Sequence, residues 1–179
     1  MTANLDPGSA DWLRAWTIDA GGVEIRPVTR TVAAEVRDGG PVTRSFEDGA
    51  LHDRIRQAMG FAIRDIDSGA AAVLPTVWLA VRRADGRIVG DLGTHGPPDA
   101  AGSVEIGYSF APSARGQGVG TAAAGALVRR LAAAESVRQI EAVTGADNVA
   151  SRRLLERLGF GVTGQLPDSA EVRYVLAVG

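Results

Sequence analysis

Between Arg115 and Leu127 the chain reads RGQGVGTAAAGAL, with glycines at 116, 118 and 120 running into an alanine-rich helical pattern. A helix that opens on glycines leaves its first backbone N–H groups unobstructed. Together with the helix dipole those groups favour an anion, phosphate above all. Glycine is costly unless the backbone must turn unusually or be approached closely. A tight packing turn between strand and helix would use the same residues, so the loop alone leaves phosphate binding and packing both open.

The rest of the composition narrows the chemistry. All 19 basic residues are arginine, so there is neither a Schiff-base lysine nor the lysine of a Walker phosphate loop. The dinucleotide fingerprint needs another glycine spacing and opens a βαβ unit, whereas this loop follows an antiparallel meander. The chain has no cysteine, which excludes disulfides, thiolate metal sites and a cysteine nucleophile, and no metal is expected. With 21 acidic residues and a net charge of −2, a nucleic-acid partner is not expected. The N-terminus has no signal-peptide pattern. The most apolar window, GAAAVLPTVWLAV, is short and broken by Pro75, so neither membrane insertion nor export is expected and the protein reads as cytoplasmic.

Elements that would position the loop are legible along the 179 residues, a length suited to one domain. Residues 1–22 form a polar lead in which Trp12 and Trp16 share a face of a short helical turn; they pin it to a single domain over 23–179, with dimer contact or substrate gating as the alternative. Alternation marks Gly22–Val28 as a strand. Leu51, Ile55, Met59, Ala62, Ile63 and Ile66 recur at helical spacing. Thr76–Arg83, Arg87–His95 and Ser103–Phe110 form a meander with a turn at ADG and a loop at 96–102. After the glycine loop come a helix with Ala123, Leu127 and Leu131 inward, a strand over RQIEAVTG, and a helix from Asp147 to a left-handed Gly159. Short strands follow at 160–163 and 172–178. The fold class is α/β (α+β), a mixed, mainly antiparallel sheet of about seven strands flanked by about four helices.

The run Arg115-Gly116-Gln117-Gly118-Val119-Gly120 resembles the Arg/Gln-x-x-Gly-x-Gly/Ala loop of the GNAT superfamily of N-acetyltransferases. VEIGYSFAPSARGQGVG resembles the strand that leads into that loop, with Pro112 three residues before Arg115. NVASRRLLERLGF, from Asn148 to Phe160, resembles the family's Asn-x-x-Ser/Ala-x-x-Leu-x-Glu-x-x-Gly-Phe segment. The element order agrees from about Val23 to Val178. The resemblance implies direct attack of an amine on the thioester of acetyl-coenzyme A. It implies that the backbone of Arg115, Gly116, Gln117, Gly118, Val119, Gly120 and Thr121 holds the diphosphate. Ser109, Phe110 and Ala111 at the splayed strand end would hold the pantetheine and polarise the thioester, and Asn148 would contact the cofactor arm.

Such chemistry needs a neutral amine and a protonated leaving thiol. At pH 7, deprotonation costs about 1.4 kcal/mol for an α-amine and about 4.6 kcal/mol for a lysine amine, so a lysine acceptor leans harder on a base. Glu105, on the strand beside the cofactor, is the first candidate base, and an exposed structural carboxylate is the alternative. A base reached through water from Asp91 or His95 stays open. His95 otherwise reads as a loop-end surface residue, and His52 as solvated on the polar face of its helix. Many family members carry an acidic tyrosine near Leu155. This chain has only Tyr108 and Tyr174, while the branch resembling ribosomal-protein N-terminal (RimJ/RimL-like) acetyltransferases carries a serine at Ser151. Ser151 is therefore the candidate acid, with helix capping as its alternative.

Two other classes compete: a non-catalytic acyl-coenzyme A binding module, suggested by Leu155, and a nucleotide oxidoreductase using Glu141, which the element order disfavours. The acceptor would lie among residues 40–70, the 96–102 loop and the last two strands, where Glu47, Asp48 and Asp53 could attract a cationic amine. A homodimer is a further expectation.

Overall fold

The computed structural model describes residues 6–72 and 74–178. Residues 1–5 of the lead, and Val73 within the apolar window, lie outside the described residues. Among the described residues the chain runs α1 (Ala10–Trp16), β1 (Ile18–Ala20), β2 (Val23–Pro27), α2 (Arg30–Asp38), α3 (Asp53–Asp67), β3 (Val77–Arg82), β4 (Ile88–Thr94) and β5 (Ser103–Phe110). It continues as α4 (Val119–Ala132), β6 (Gln139–Gly145), α5 (Val149–Arg157), β7 (Gly161–Gln165) and β8 (Glu171–Ala177).

The eight strands form one sheet in the order β1-β2-β3-β4-β5-β6-β8-β7. Every neighbouring pair is antiparallel except β5 and β6. The class is the one expected, with one strand and one helix more than the sequence suggested. β1 is only three residues long, too short to show alternation, and it exists because it lies along β2. α2 buries only Ala33 and Val36, too thin a stripe to stand out by periodicity.

Alternation of side chains divides the core between the two faces of the sheet. On β3, Trp78 and Ala80 join a main cluster with α1, α4 and α5, while Val77, Leu79 and Val81 pack with Ile55, Met59 and Ile63 of α3. Trp12 and Trp16 are buried in the main cluster, and the Trp12 indole N–H donates to the Ala71 carbonyl at 3.2 Å. The Trp78 indole donates to the Trp16 carbonyl at 3.1 Å, tying α1 to the middle of the sheet. The α4/α5 face and the α3 face are thus two separate compartments, and the sheet is the wall between them.

Candidate active site

That wall has an opening. The β5–β6 ladder consists of Ser103↔Gln139, Val104↔Ile140 and Glu105↔Glu141, and the strands then diverge. The His95 N–H donates to Glu105 O at 2.9 Å and the Ala111 N–H to Val89 O at 2.8 Å. Backbone alternation therefore turns Glu105, Gly107 and Ser109 toward β4, and Ile106, Tyr108 and Phe110 toward β6. From the Ile106 carbonyl, through both groups of Tyr108, to the Phe110 N–H, the edge faces the gap with no ladder partner. The Phe110 carbonyl is capped by Arg115 Nε at 3.1 Å. The free edge thus lies mainly at Ile106 and Tyr108. Among the residues expected at the splayed end, Ser109 and Ala111 spend backbone groups on β4, and Phe110 keeps only its N–H for the gap.

The free edge leads to the glycine loop. Gly116 and Gly118 have φ of 73° and 78°, a left-handed conformation that other residues adopt at a cost. Gly118 is the N-cap of α4 and supplies no side chain to it. None of the backbone N–H groups from Gly116 to Thr121 has a hydrogen-bond partner among the described residues; the first to find one is Ala122, which donates to Gly118 O. At Gly120 the reason for glycine is packing: a Cβ would approach the Phe110 ring to 3.2 Å and Leu154 to 3.3 Å. Arg115 and Gln117 brace the loop, Gln117 donating to Ser113 O at 2.6 Å. Val119 packs against the main core. Consecutive unpaired N–H groups at a helix start form an anion cradle, and the donors here fit a diphosphate.

A cavity of about 750 Å³ passes through the gap and draws its walls from both faces. On the α5 side, the Asn148 side chain caps the helix by accepting from the Ser151 N–H at 3.1 Å. The Ser151 hydroxyl lies 2.9 Å from the Tyr108 hydroxyl, and burial pushes the Tyr108 phenol above its usual value. Both remain proton donors at neutral pH. Tyr108 was not singled out in the sequence; its register on β5 brings it to α5, 43 residues away. Leu155 is fully buried in the core.

On the α3 side stand two carboxylate–imidazole pairs. His95 Nδ1 lies 2.8 Å from Glu105 Oε1 across the β4–β5 register. The Glu105 carboxylate raises the His95 pKa, and His95 in return lowers that of Glu105. His52 is corrected by the structure. It is not solvated on a helix face but precedes α3 as its N-cap, Nδ1 accepting from the Ile55 N–H at 3.3 Å and Nε2 lying 3.4 Å from Asp91 Oδ1. Burial, with Arg54 nearby, depresses the His52 pKa. Burial drives the Asp91 carboxyl the other way, up to about 7.

His52 Nε2, Thr76 Oγ1, Asp91 Oδ1 and Thr94 Oγ1 are buried cavity-lining atoms with no hydrogen-bond partner among the described residues. Each such group costs about 1–3 kcal/mol, a cost that a polar guest relieves. Asp53 and Arg54 of α3 and Glu171 of β8 also line the cavity, whereas the 96–102 loop does not. Glu47 is engaged by Arg82 at 2.7 Å instead of facing the cavity. Glu141, the candidate ribose ligand, accepts from Ser103 and Arg173. Among the described residues no group of three or more His, Asp or Glu side chains could hold a metal ion, and no helix is long and apolar enough to cross a membrane.

A family model described as an acetyltransferase (GNAT) domain matches residues 13–161. The chain belongs to the GNAT acetyltransferase family. The uncharacterized N-acetyltransferase YjdG of Bacillus subtilis strain 168 is 37% identical over 83 residues, 46% of this chain and 49% of that protein. The chain thus spans about half the length of the curated relative it matches. Among solved structures, ribosomal-protein-S5-alanine acetyltransferase from Vibrio fischeri superposes with a TM-score of 0.68 at 14% identity, covering 90% of this chain and 96% of that one. Mycobacterium smegmatis RimJ in complex with a coenzyme A disulfide gives 0.62 at 24% identity, covering 89% and 84%. At these identities the structural likeness is one of fold. The family assignment removes the oxidoreductase reading.

Proposed function

We propose that the chain is an N-acetyltransferase that moves an acetyl group from acetyl-coenzyme A directly to a primary amine of a small molecule or a protein N-terminus. The observation that carries this reading is the unpaired β5 edge, from the Ile106 carbonyl through Tyr108 to the Phe110 N–H, followed by the unpaired N–H groups of the glycine cradle. Edge groups spaced as in a ladder accept an extended, amide-bearing arm as an added strand. The cradle at the end of that edge takes the diphosphate through Gly116–Thr121, with Asn148 on the opposite wall beside the arm. No covalent acyl-enzyme is needed, since the cavity admits donor and acceptor from opposite faces of the sheet.

The residues of the chain then divide the labour. The free groups of Ile106 and Tyr108 orient the arm and polarise the thioester carbonyl. The Tyr108–Ser151 pair hands a proton to the departing thiolate, and burial keeps Tyr108 protonated for that task. A protein α-amine is the acceptor to test first. It is the more easily deprotonated amine, and acetyltransferases of ribosomal proteins are among the structures that share the fold. Calorimetric titration with acetyl-coenzyme A, desulfo-coenzyme A and NADH, followed by thiol release with amines, tests the reading. Binding of the coenzyme A species with turnover supports it. Binding without turnover on any amine returns the non-catalytic binding module, and no binding overturns both.

A further inference from the structure

We infer that His95 is the general base that removes the proton from the attacking amine, and that Glu105 is the residue that positions it; this rests on the acetyl-transfer reading above. The argument starts from where the reacting carbon must lie. The anion cradle follows the C-terminal end of β5, and the free edge runs back from Phe110 through Tyr108 to Ile106. The five residues from Ile106 to Phe110 span about 13 Å of strand. The gap closes where β6 rejoins at Glu105↔Glu141. An acyl arm laid along this edge ends at that closed vertex, beside Ile106 and Gly107.

At the vertex the two faces of the sheet offer different groups. The α5 face offers the Tyr108 and Ser151 hydroxyls. On the α3 face residue 107 is glycine, and the imidazole of His95 lies over it: a Cβ placed there would sit 3.1 Å from His95 Nε2. Any larger residue at 107 would displace the ring. His95 Nδ1–H donates to Glu105, which leaves the Nε2 lone pair for the cavity. Base and acid therefore flank the thioester from opposite faces.

The other carboxylates on this face are less suited. Glu105 accepts from His95 and has its pKa lowered, which makes it the weaker proton acceptor. Asp91 pairs with Ser109, four residues along β4 from His95, or about 13 Å toward the cradle end. In the step itself the amine nitrogen bonds to the carbonyl carbon and its proton passes to His95 Nε2. The carbon–sulfur bond breaks, the sulfur keeps the electron pair, and the thiolate takes a proton from the Tyr108–Ser151 pair. Nothing is oxidised or reduced.

The base works when neutral, so activity rises with pH through a His95 pKa that Glu105 holds above 6.5. The charged groups around the pair are Glu105 on β5 and Arg173 on β8, the latter bound to Glu141 of β6 at 3.0 Å. Asp53 and Arg54 of α3 and Glu171 of β8 face the same cavity.

The test is thiol release from acetyl-coenzyme A, with and without a short peptide carrying a free α-amine, as a function of pH. His95→Gln is expected to lower kcat/KM by about 100-fold or more, with coenzyme A affinity and the urea midpoint unchanged. In His95→Ala, exogenous imidazole is expected to restore part of the rate. Glu105→Gln is expected to cost less and to move the acidic limb of the profile to lower pH, because the imidazole loses the carboxylate that raises its pKa. A purely structural role for Glu105 would lower the rate without moving that limb. Retention of near-wild-type kcat/KM by His95→Gln overturns the assignment. So does loss of the limb in Glu105→Gln but not in His95→Gln, which gives the proton to Glu105. An inactive wild-type protein overturns the acetyl-transfer reading and this assignment together, an outcome distinct from either of those.

Discussion

Asp91 carries a stability penalty that a single atom exchange exposes. Its side chain is 16% exposed and its Oδ1 is unpaired, and burial raises its pKa from 3.8 to about 7. His52 stands 3.4 Å away but does not compensate, because burial keeps its imidazole neutral near pH 7. A carboxyl whose pKa is higher in the folded state binds its proton more tightly there. Stability is therefore greatest below the unfolded value and falls as pH rises toward the folded one. The fall is about 1.4 kcal/mol per pH unit, reaching about 4 kcal/mol above pH 7. Asp91→Asn keeps the shape and removes the charge. Because His52 is present in both proteins, the difference between them isolates Asp91. Urea unfolding of the two at constant ionic strength should show the variant gaining on the wild type by about 3 kcal/mol between pH 5 and pH 8. A gap that stays flat across that range, or narrows as pH rises, would refute the reasoning. Asp91 would then ionise in the fold as readily as in water.

Three further outcomes are expected. Gly118→Asp places a side chain on a residue with φ of 78° and a negative charge in the cradle, so calorimetry should show coenzyme A affinity reduced by at least about 100-fold; tight binding would remove the phosphate assignment. Ser151→Ala should lower kcat by about tenfold or more while the coenzyme A Kd stays within about twofold, and Tyr108→Phe should do likewise, since each breaks the hydroxyl pair that supplies the leaving-group proton. Unchanged turnover in both would make the pair structural. Trp12→Ala empties a fully buried site and leaves the Ala71 carbonyl without its donor, and should cost about 3–5 kcal/mol in urea unfolding without altering coenzyme A affinity.

The sequence by itself determined the parts whose physics is local. Gly116, Gly118 and Gly120 before an alanine-rich run define the start of α4, and Asn148 three residues before Ser151 caps α5. Those spacings carried the family resemblance, and the matching family model covers both segments. Alternation located β2, the ADG turn and the 96–102 loop set off β3 to β5 as a meander, and the spacing of Ile55, Met59, Ala62 and Ile63 located α3. What escaped was weak locally: β1 has too few residues to alternate, and α2 has too few buried ones to show a stripe. Only the tertiary structure decided which polar groups meet. Tyr108 reaches Ser151 because β5 separates from β6 after Glu105, and His95 reaches Glu105 because β4 and β5 pair in one register. His52 belongs to the cavity because α3 packs its N-terminus over Asp91. These contacts join residues 10 to 43 positions apart through strand register and sheet splay. Neither is encoded in the spacing of residues within one element, so proton-transfer partners emerge only when the elements are assembled.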